Sequence, residues 1–324
     1  MNHYELDGYW RIPYLCATNN KRYIMKTFSQ LTWTVLLAGL VASCSSGTEE
    51  TPSSVPIPIS LSCGISPAAT RATDTGFETG DRIGLYVVNY EGGTAGSLQA
   101  TGNHVDNMQF TYDGTWTPAT PIYWKDDTTP ADFYGYYPYG TTPTDISAVP
   151  FTVMADQSTE ANYKASDFLW GKTAQVAPTE TAVGLTLDHL FSCAVVKVAA
   201  GNGFTAESLA AADVQVRLNG ATCQASIDLS NGQVTPGTET ASISFLQGEN
   251  NEFKALIVPQ TVPSADNFLT VTIDGRDFNM KKEFTFVGGK RHTFTVTVKK
   301  TSNGINVDIG SWEDDGADNG GVAE

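Results

Sequence analysis

The strongest constraint on this chain is a period-two alternation of apolar residues with threonine. In Asn267-Phe-Leu-Thr-Val-Thr-Ile-Asp274, Leu269, Val271 and Ile273 fall on one side, and Thr270 and Thr272 on the other. Thr293-Phe-Thr-Val-Thr-Val-Lys299 repeats the pattern with Phe294, Val296 and Val298, and Asp213-Val-Gln-Val-Arg-Leu-Asn219 alternates likewise. Alternation over six or seven residues describes a strand with one buried and one wet face, and threonine suits the wet face. Asp113-Gly114, Asn231-Gly232, Asp274-Gly275 and Gly288-Gly289 stand between such runs and supply the positive φ that tight hairpins need. Helical periodicity is nearly absent. The one candidate is short, Thr205-Ala-Glu-Ser-Leu-Ala-Ala-Ala212, with Thr205 as its N-cap. The pattern predicts an all-β protein of antiparallel β-sandwiches.

The N-terminus has a separate logic. Lys21, Arg22 and Lys26 precede an apolar run from Leu31 to Ser43, and Cys44 follows small residues in Val41-Ala42-Ser43-Cys44. A charged stretch, a short apolar stretch and a small-residue end make a secretory signal. The run falls short of the roughly 20 residues of a membrane span. The sequence around Cys44 reads as a lipobox, which makes Cys44 the acylated first residue of the mature chain. Several acyl chains give stable anchoring where one is marginal. A signal starting at Met25 is self-sufficient, so residues 1–24 are expected to be an annotation artefact. Residues 44–55 are a polar tether, too poor in apolar surface to order themselves.

Lys and Arg total 19 against 35 Asp and Glu, a net charge of −16. A signal removed before Cys44 takes away four basic residues (Arg11, Lys21, Arg22, Lys26) and only Glu5 and Asp7, so the mature chain is more acidic still. Such a surface repels phosphate backbones, and nucleic acid is not an expected partner. No Cys-x-x-Cys and no Cys/His pair at metal spacing occurs, so no metal and no cofactor are expected. Cys193 and Cys223 either pair as a disulfide or behave as small apolar residues. Nucleophile elbows, zinc-protease motifs and phosphate loops are missing, and His104, His189 and His292 sit where structural histidines sit. No catalytic residue is expected, and the chain is read as a non-enzyme.

Composition shifts near residues 186–190. Residues 107–170 are rich in aromatics, whereas the sequence after Asp188 is dominated by Val, Ala, Thr and Ile. The expected organisation is two tandem sandwich domains, 56–188 and 189–312, followed by an acidic, glycine-rich tail at 313–324. Trp116, Trp124, Tyr136 and Trp170 admit two readings: core packing, or exposed rings that stack on sugars. If "ADFYGYYPYG" (131–140) is a strand, Phe133 and Tyr134 face opposite ways, so rings are exposed unless both faces are covered.

Several stretches together carry a resemblance. They are "TRATDTGFETGDRIGLYVV" (70–88), "IYWKDD" with "ADFYGYYPY" (122–139), "DFLWGK" (167–172), "LTLDHLFSCAVVKV" (185–198) and "VGGKRHTFTVTVKK" (287–300). In this order, behind a lipoprotein signal, they resemble the fimbrillin-like family of Bacteroidales surface proteins. The resemblance implies transthyretin-like topology in both domains, an outer-membrane lipoprotein held by its lipid anchor, and adhesion to host or bacterial surface ligands. It also implies maturation by an Arg-specific protease and assembly with other fimbrial subunits by donor-strand exchange. Carried onto this chain, processing falls between Arg71 and Ala72. The first strand, with Ile57, Ile59, Leu61 and Cys63 alternating, is the one displaced. Pro56 and Pro58 suit an edge position. The subunit would be a stalk, tip or accessory component. The alternative is a monomeric surface lipoprotein that binds glycans through its aromatic N-terminal half.

Overall fold

A computed structural model describes residues 55–66, 76–201, 203–301 and 304–309. The first half contains β1 (Leu61–Ile65), β2 (Arg82–Glu91), β3 (Thr94–Ala95), β4 (Val105–Tyr112), β5 (Trp116–Pro118), β6 (Ala131–Tyr137) and β7 (Val149–Thr152). Helix α1 (Glu160–Ala165) precedes β8 (Leu169–Val176), β9 (Val183–His189) and β10 (Ser192–Ala200). Helix α2 (Ala206–Ala210) leads to β11 (Val214–Thr222), β12 (Gln224–Asp228), β13 (Gln233–Pro236), β14 (Thr240–Ser244) and β15 (Leu246–Gln247). The chain continues through β16 (Glu252–Ile257), β17 (Gln260–Ile273), β18 (Arg276–Phe286), β19 (Arg291–Thr301) and β20 (Gly304–Ile309).

The described strands form four sheets. The first has the order β1-β9-β8-β6-β2-β4-β5, with β3 paired to β2. The others are β15-β16-β10-β19-β20, β14-β11-β17-β18 and β13-β12-β7. The β17–β18 hairpin turns at Asp274 and Gly275, with φ of 49° and 77°, the paired positive angles of a type I′ turn. The ladders are antiparallel with two exceptions, β1 with β9 and β10 with β19. The sequence pattern predicted antiparallel meanders only. Parallel neighbours cannot share a tight turn, so each of these pairs joins strands far apart in the chain.

Two apolar clusters organise the interior. Ile83, Leu85, Val87, Phe110, Phe133, Leu169, Leu185 and Leu187 meet in one, inside the curve of the first sheet. Tyr86, Val88, Tyr134 and Tyr136, from the opposite face of β2 and β6, join the other with Phe191, Val216, Phe253, Phe268 and Phe294. Both faces of β2 and β6 are therefore covered, which is how Phe133 and Tyr134 are both buried. The three-stranded sheet also joins the halves, because β7 pairs with β12.

Both helices are short. At α2, Thr205 accepts the Ser208 backbone N–H at 3.1 Å, and the Ser208 hydroxyl accepts from the Thr205 N–H at 3.0 Å, a reciprocal cap in the expected place. Helix α1 was not legible in advance. It buries only Tyr163, and a single buried residue leaves no period to read.

Candidate functional site: the first strand and its slot

Alternation makes β1 what it is. Ile59 and Leu61 are 3% and 6% exposed, Ile57, Cys63 and Ile65 are half-buried, and the residues between them face outward. All five apolar side chains belong to the cluster inside the first sheet. The strand runs parallel to β9, with Leu61 opposite Val183 and Ile65 opposite Leu187. Backbone bonds from Val183 N to Ser60 O and from Ser66 N to Leu187 O, both 2.8 Å, flank that ladder.

The other edge of the segment is tied as well. Ile59 N donates to Ile122 O and Trp124 N donates to Ile57 O, both at 2.9 Å, around an antiparallel bridge between Pro58 and Tyr123. Pro58 lacks an N–H and is exposed, so its position costs no ladder bond. Further along, the Trp116 indole N–H donates to Cys63 O at 2.9 Å. The segment 57–65 therefore closes the first sheet between β9 on one side and residues 116–124 on the other. Burial pushes the Cys63 thiol up to about 12, which leaves it without thiolate at neutral pH.

Gly171 shapes the floor. Beyond the two β8–β9 pairs, Leu169–His189 and Trp170–Asp188, a Cβ at Gly171 would overlap the Thr186 carbonyl oxygen. Glycine lets β9 cross close over β8 and carry β1 with it.

The aromatic residues singled out as sugar platforms lie elsewhere than a surface. Trp116, Trp124 and Tyr136 are 9%, 5% and 4% exposed. Trp116 packs edge-on against Phe77 with centroids 4.9 Å apart, and Trp124 donates its indole N–H to Thr179 O at 3.1 Å. Tyr136 donates to Asn107 Oδ1 at 2.8 Å. Trp170 is half-buried, donates to Leu229 O at 2.8 Å and lies against Gly232. Rings enclosed in this way offer no face to a dissolved sugar, which corrects the stacking reading for the three buried ones. Two of them, Trp116 and Trp124, instead wall the slot of the first strand. The sequence carried no signal for that role, because their partners lie about sixty residues upstream.

Of the two readings of Cys193 and Cys223, the one without a disulfide holds: they are not bonded to each other. Cys193 packs with Tyr163, Leu246 and Leu256, whereas Cys223 is buried in the large core cluster. Cys44, Arg71 and Ala72 lie outside the described residues. The histidines hold structure: His189 Nδ1 is 3.0 Å from Asp167, His104 Nε2 is 2.7 Å from Tyr123 O, and His292 Nε2 accepts from Val287 N at 3.2 Å. The buried carboxylate of Asp132 is taken up by Lys172 at 2.9 Å and by the Gln175 N–H at 2.8 Å. No cluster of three metal-ligating side chains occurs among the described residues.

The profile of one protein family, described as fimbrillin-like, matches residues 70–312. The chain belongs to the fimbrillin-like family. A protein described as a fimbrium subunit, Fim1C, from Bacteroides uniformis is 27% identical to this fimbrillin-like chain over 292 residues, spanning 86% of the chain and 92% of the relative. Another, described as a fimbrium tip subunit, from Bacteroides ovatus is 31% identical over 186 residues, or 51% of the chain and 33% of the relative. Crystal structures of proteins described as cell adhesion proteins share the fold. One from Bacteroides ovatus has a TM-score of 0.60 at 20% identity, over 80% of this chain and 97% of that one. One from Bacteroides uniformis has a TM-score of 0.57 at 22% identity, over 79% and 98%. The expected all-β fold is thereby borne out, and the relatives of this fimbrillin-like chain are described as fimbrium subunits rather than enzymes.

In this fimbrillin-like chain, Trp116→Phe keeps an aromatic ring beside Phe77 but removes the donor to Cys63 O. The expected cost is about 1 kcal/mol, read as a lower denaturant midpoint, with faster amide exchange at residues 61–65 than at β6 in the same sample.

Proposed function

We propose that this chain is a subunit of a cell-surface fimbria, made as a lipoprotein precursor acylated on Cys44 and matured by cleavage between Arg71 and Ala72. It then joins neighbouring subunits by donor-strand exchange into the slot that β1 occupies. The observation that carries this reading is the seat of β1. Its alternating apolar side chains fill the interior of the first sheet, while only five cross-strand pairs and a few flanking bonds hold its backbone. The connection from Ser66 to Gly76 includes Arg71. The next arginine, Arg82, is held in the β2 ladder opposite Thr111, a poor substrate for a protease that needs an extended, mobile segment.

An empty slot is costly. Ile59 and Leu61 each contribute roughly 1.5–3 kcal/mol by burial, so β1 leaves readily only when another strand takes its place. Main-chain bonds to β9 would supply the affinity, and the deep positions of Ile59 and Leu61 the selectivity. Burial of Trp116, Trp124 and Tyr136 argues against the monomeric glycan-binding alternative.

The test is to treat purified precursor with an Arg-specific protease. The expected product begins at Ala72 and forms an SDS-resistant ladder, and Arg71→Ala forms none. A ladder from Arg71→Ala, or cleavage at Arg71 with no ladder, would overturn the assembly mechanism.

A further inference from the structure

Gly288-Gly289 reads as a hairpin turn in the sequence, yet it joins β18 and β19, which lie in different sheets. What it fits instead is the crossing from the first half to the second. The end of β9 and the two residues that lead on to β10 lie against it. A Cβ at Gly288 would stand 2.6 Å from Leu190 O and 3.2 Å from the Pro259 ring, and one at Gly289 would stand 3.2 Å from His189 O. Gly289 N donates to Phe191 O at 3.0 Å, and Cys193 N donates to Lys290 O at 2.9 Å. The turn is braced from within, because Val287 N donates to His292 Nε2 at 3.2 Å and Lys290 N to Val287 O at 3.3 Å. The β10–β19 ladder begins at once beyond it, with Cys193 opposite Arg291. Two residues without side chains thus form a saddle on which the crossing rests.

The same crossing is the end of the strand that carries β1. The β1–β9 ladder finishes with Ile65 opposite Leu187, and Ser66 N donates to Leu187 O at 2.8 Å. His189, whose oxygen meets the saddle, is the second residue after Leu187. Leu187 is buried in the cluster inside the first sheet, and Phe191 in the large cluster of the other. The residues between are held as well. His189 Nδ1 lies 3.0 Å from Asp167, and Leu190 N donates to Phe168 O at 2.9 Å. A run anchored in two cores and bonded along its length has no slack to absorb a shift of β9, because close packing passes displacement on.

We propose that the Gly288-Gly289 saddle couples the slot of β1 to the joint between the two halves. With a strand seated beside β9, residues 187–191 lie firmly on the saddle and the start of the β10–β19 ladder is closed. With the slot empty, β9 shifts, the crossing lifts and that end of the ladder opens. The joint is then stiff only in a chain whose slot is filled. The coupling rests on the reading of the slot as a site of strand exchange. The other connection between the halves, the β7–β12 ladder, pairs with neither β9 nor β19 and serves as the internal reference.

Amide exchange and cysteine alkylation on the full chain test the coupling in both directions. In Leu61→Asp, which removes β1 from the slot, the amides of Gly289 and Cys193 are expected to exchange at least about tenfold faster than in the unaltered chain, while those of the β7–β12 ladder change little. Linkage is reciprocal, so disturbing the saddle must loosen β1. Gly288 lacks a positive φ, so Gly288→Ala acts only through the added carbon 2.6 Å from Leu190 O. It is expected to raise the ratio of Cys63 to Cys223 labelling at least about fivefold. Fast Cys63 labelling in Leu61→Asp with unchanged exchange at Gly289 and Cys193 would overturn the coupling and leave the slot standing. Slow Cys63 labelling in that variant would remove the slot and the coupling together. Equal acceleration along the β7–β12 ladder, or an unchanged labelling ratio in Gly288→Ala, would also defeat the proposal.

Discussion

Leu61→Asp is expected to expel β1 from the first sheet while the rest of the chain stays folded. Leu61 is 6% exposed, pairs with Val183 and packs into the cluster with Ile59, Leu85 and Leu185. A carboxylate there has no partner, and burying it unpaired costs several kcal/mol. That exceeds what two deep apolar side chains and a short ladder return, so the cheaper response is for the strand to leave. Cys63 reports the departure. Burial holds its thiol at about 12 in the closed sheet, and in a released strand it falls back to roughly 8.5. Timed alkylation at pH 8, read by peptide mass, is expected to label Cys63 about a hundredfold faster in Leu61→Asp, while Cys223 in the other core stays slow. Equal slow labelling of both cysteines, or a rise at both together, would show that β1 does not separate from the fold and would sink the slot as a site of exchange.

Gly171→Ala is expected to destabilise the chain by about 3–5 kcal/mol, among the largest effects of a single methyl. The added carbon would overlap the Thr186 carbonyl oxygen and press on Leu187. A backbone oxygen cannot rotate aside, so β9 must move. Thr186 is also the partner of Gly64 in the β1–β9 ladder, so the displacement passes to β1. Gly184 on the same strand is the control: nothing lies within 4 Å of its added Cβ, and Gly184→Ala is expected to stay within about 0.5 kcal/mol of the unaltered chain. Chemical denaturation of the pair checks the claim, and similar midpoints for both variants would refute it.

Legibility from the sequence differed from element to element. Strands β11, β17 and β19 followed from alternation, the β17–β18 turn from Asp274-Gly275, and the α2 cap from Thr205. The facing of Ile57, Ile59, Leu61 and Cys63 was legible too, because side-chain direction in a strand is local. The walls around them were not. Trp116 and Trp124 offered the right chemistry for two roles, and only the approach of a segment about sixty residues away decided between them. Cys193 and Cys223 posed a similar ambiguity, and their places in different apolar clusters settled it.

The sequence by itself determined that this chain is all-β, where the β4–β5, β12–β13 and β17–β18 hairpins turn (Gly288-Gly289 instead links β18 to β19 in another sheet), which side of the alternating strands is apolar, and that its family is fimbrillin-like. Those properties are written in neighbouring residues and in their order. Only the tertiary structure decided that β2 and β6 are covered on both faces, that β1 and β9 run parallel, and that residues 57–65 close the first sheet against 116–124. Each of these is a pairing between distant segments. A period of two states which face is apolar, but not which distant surface will cover it.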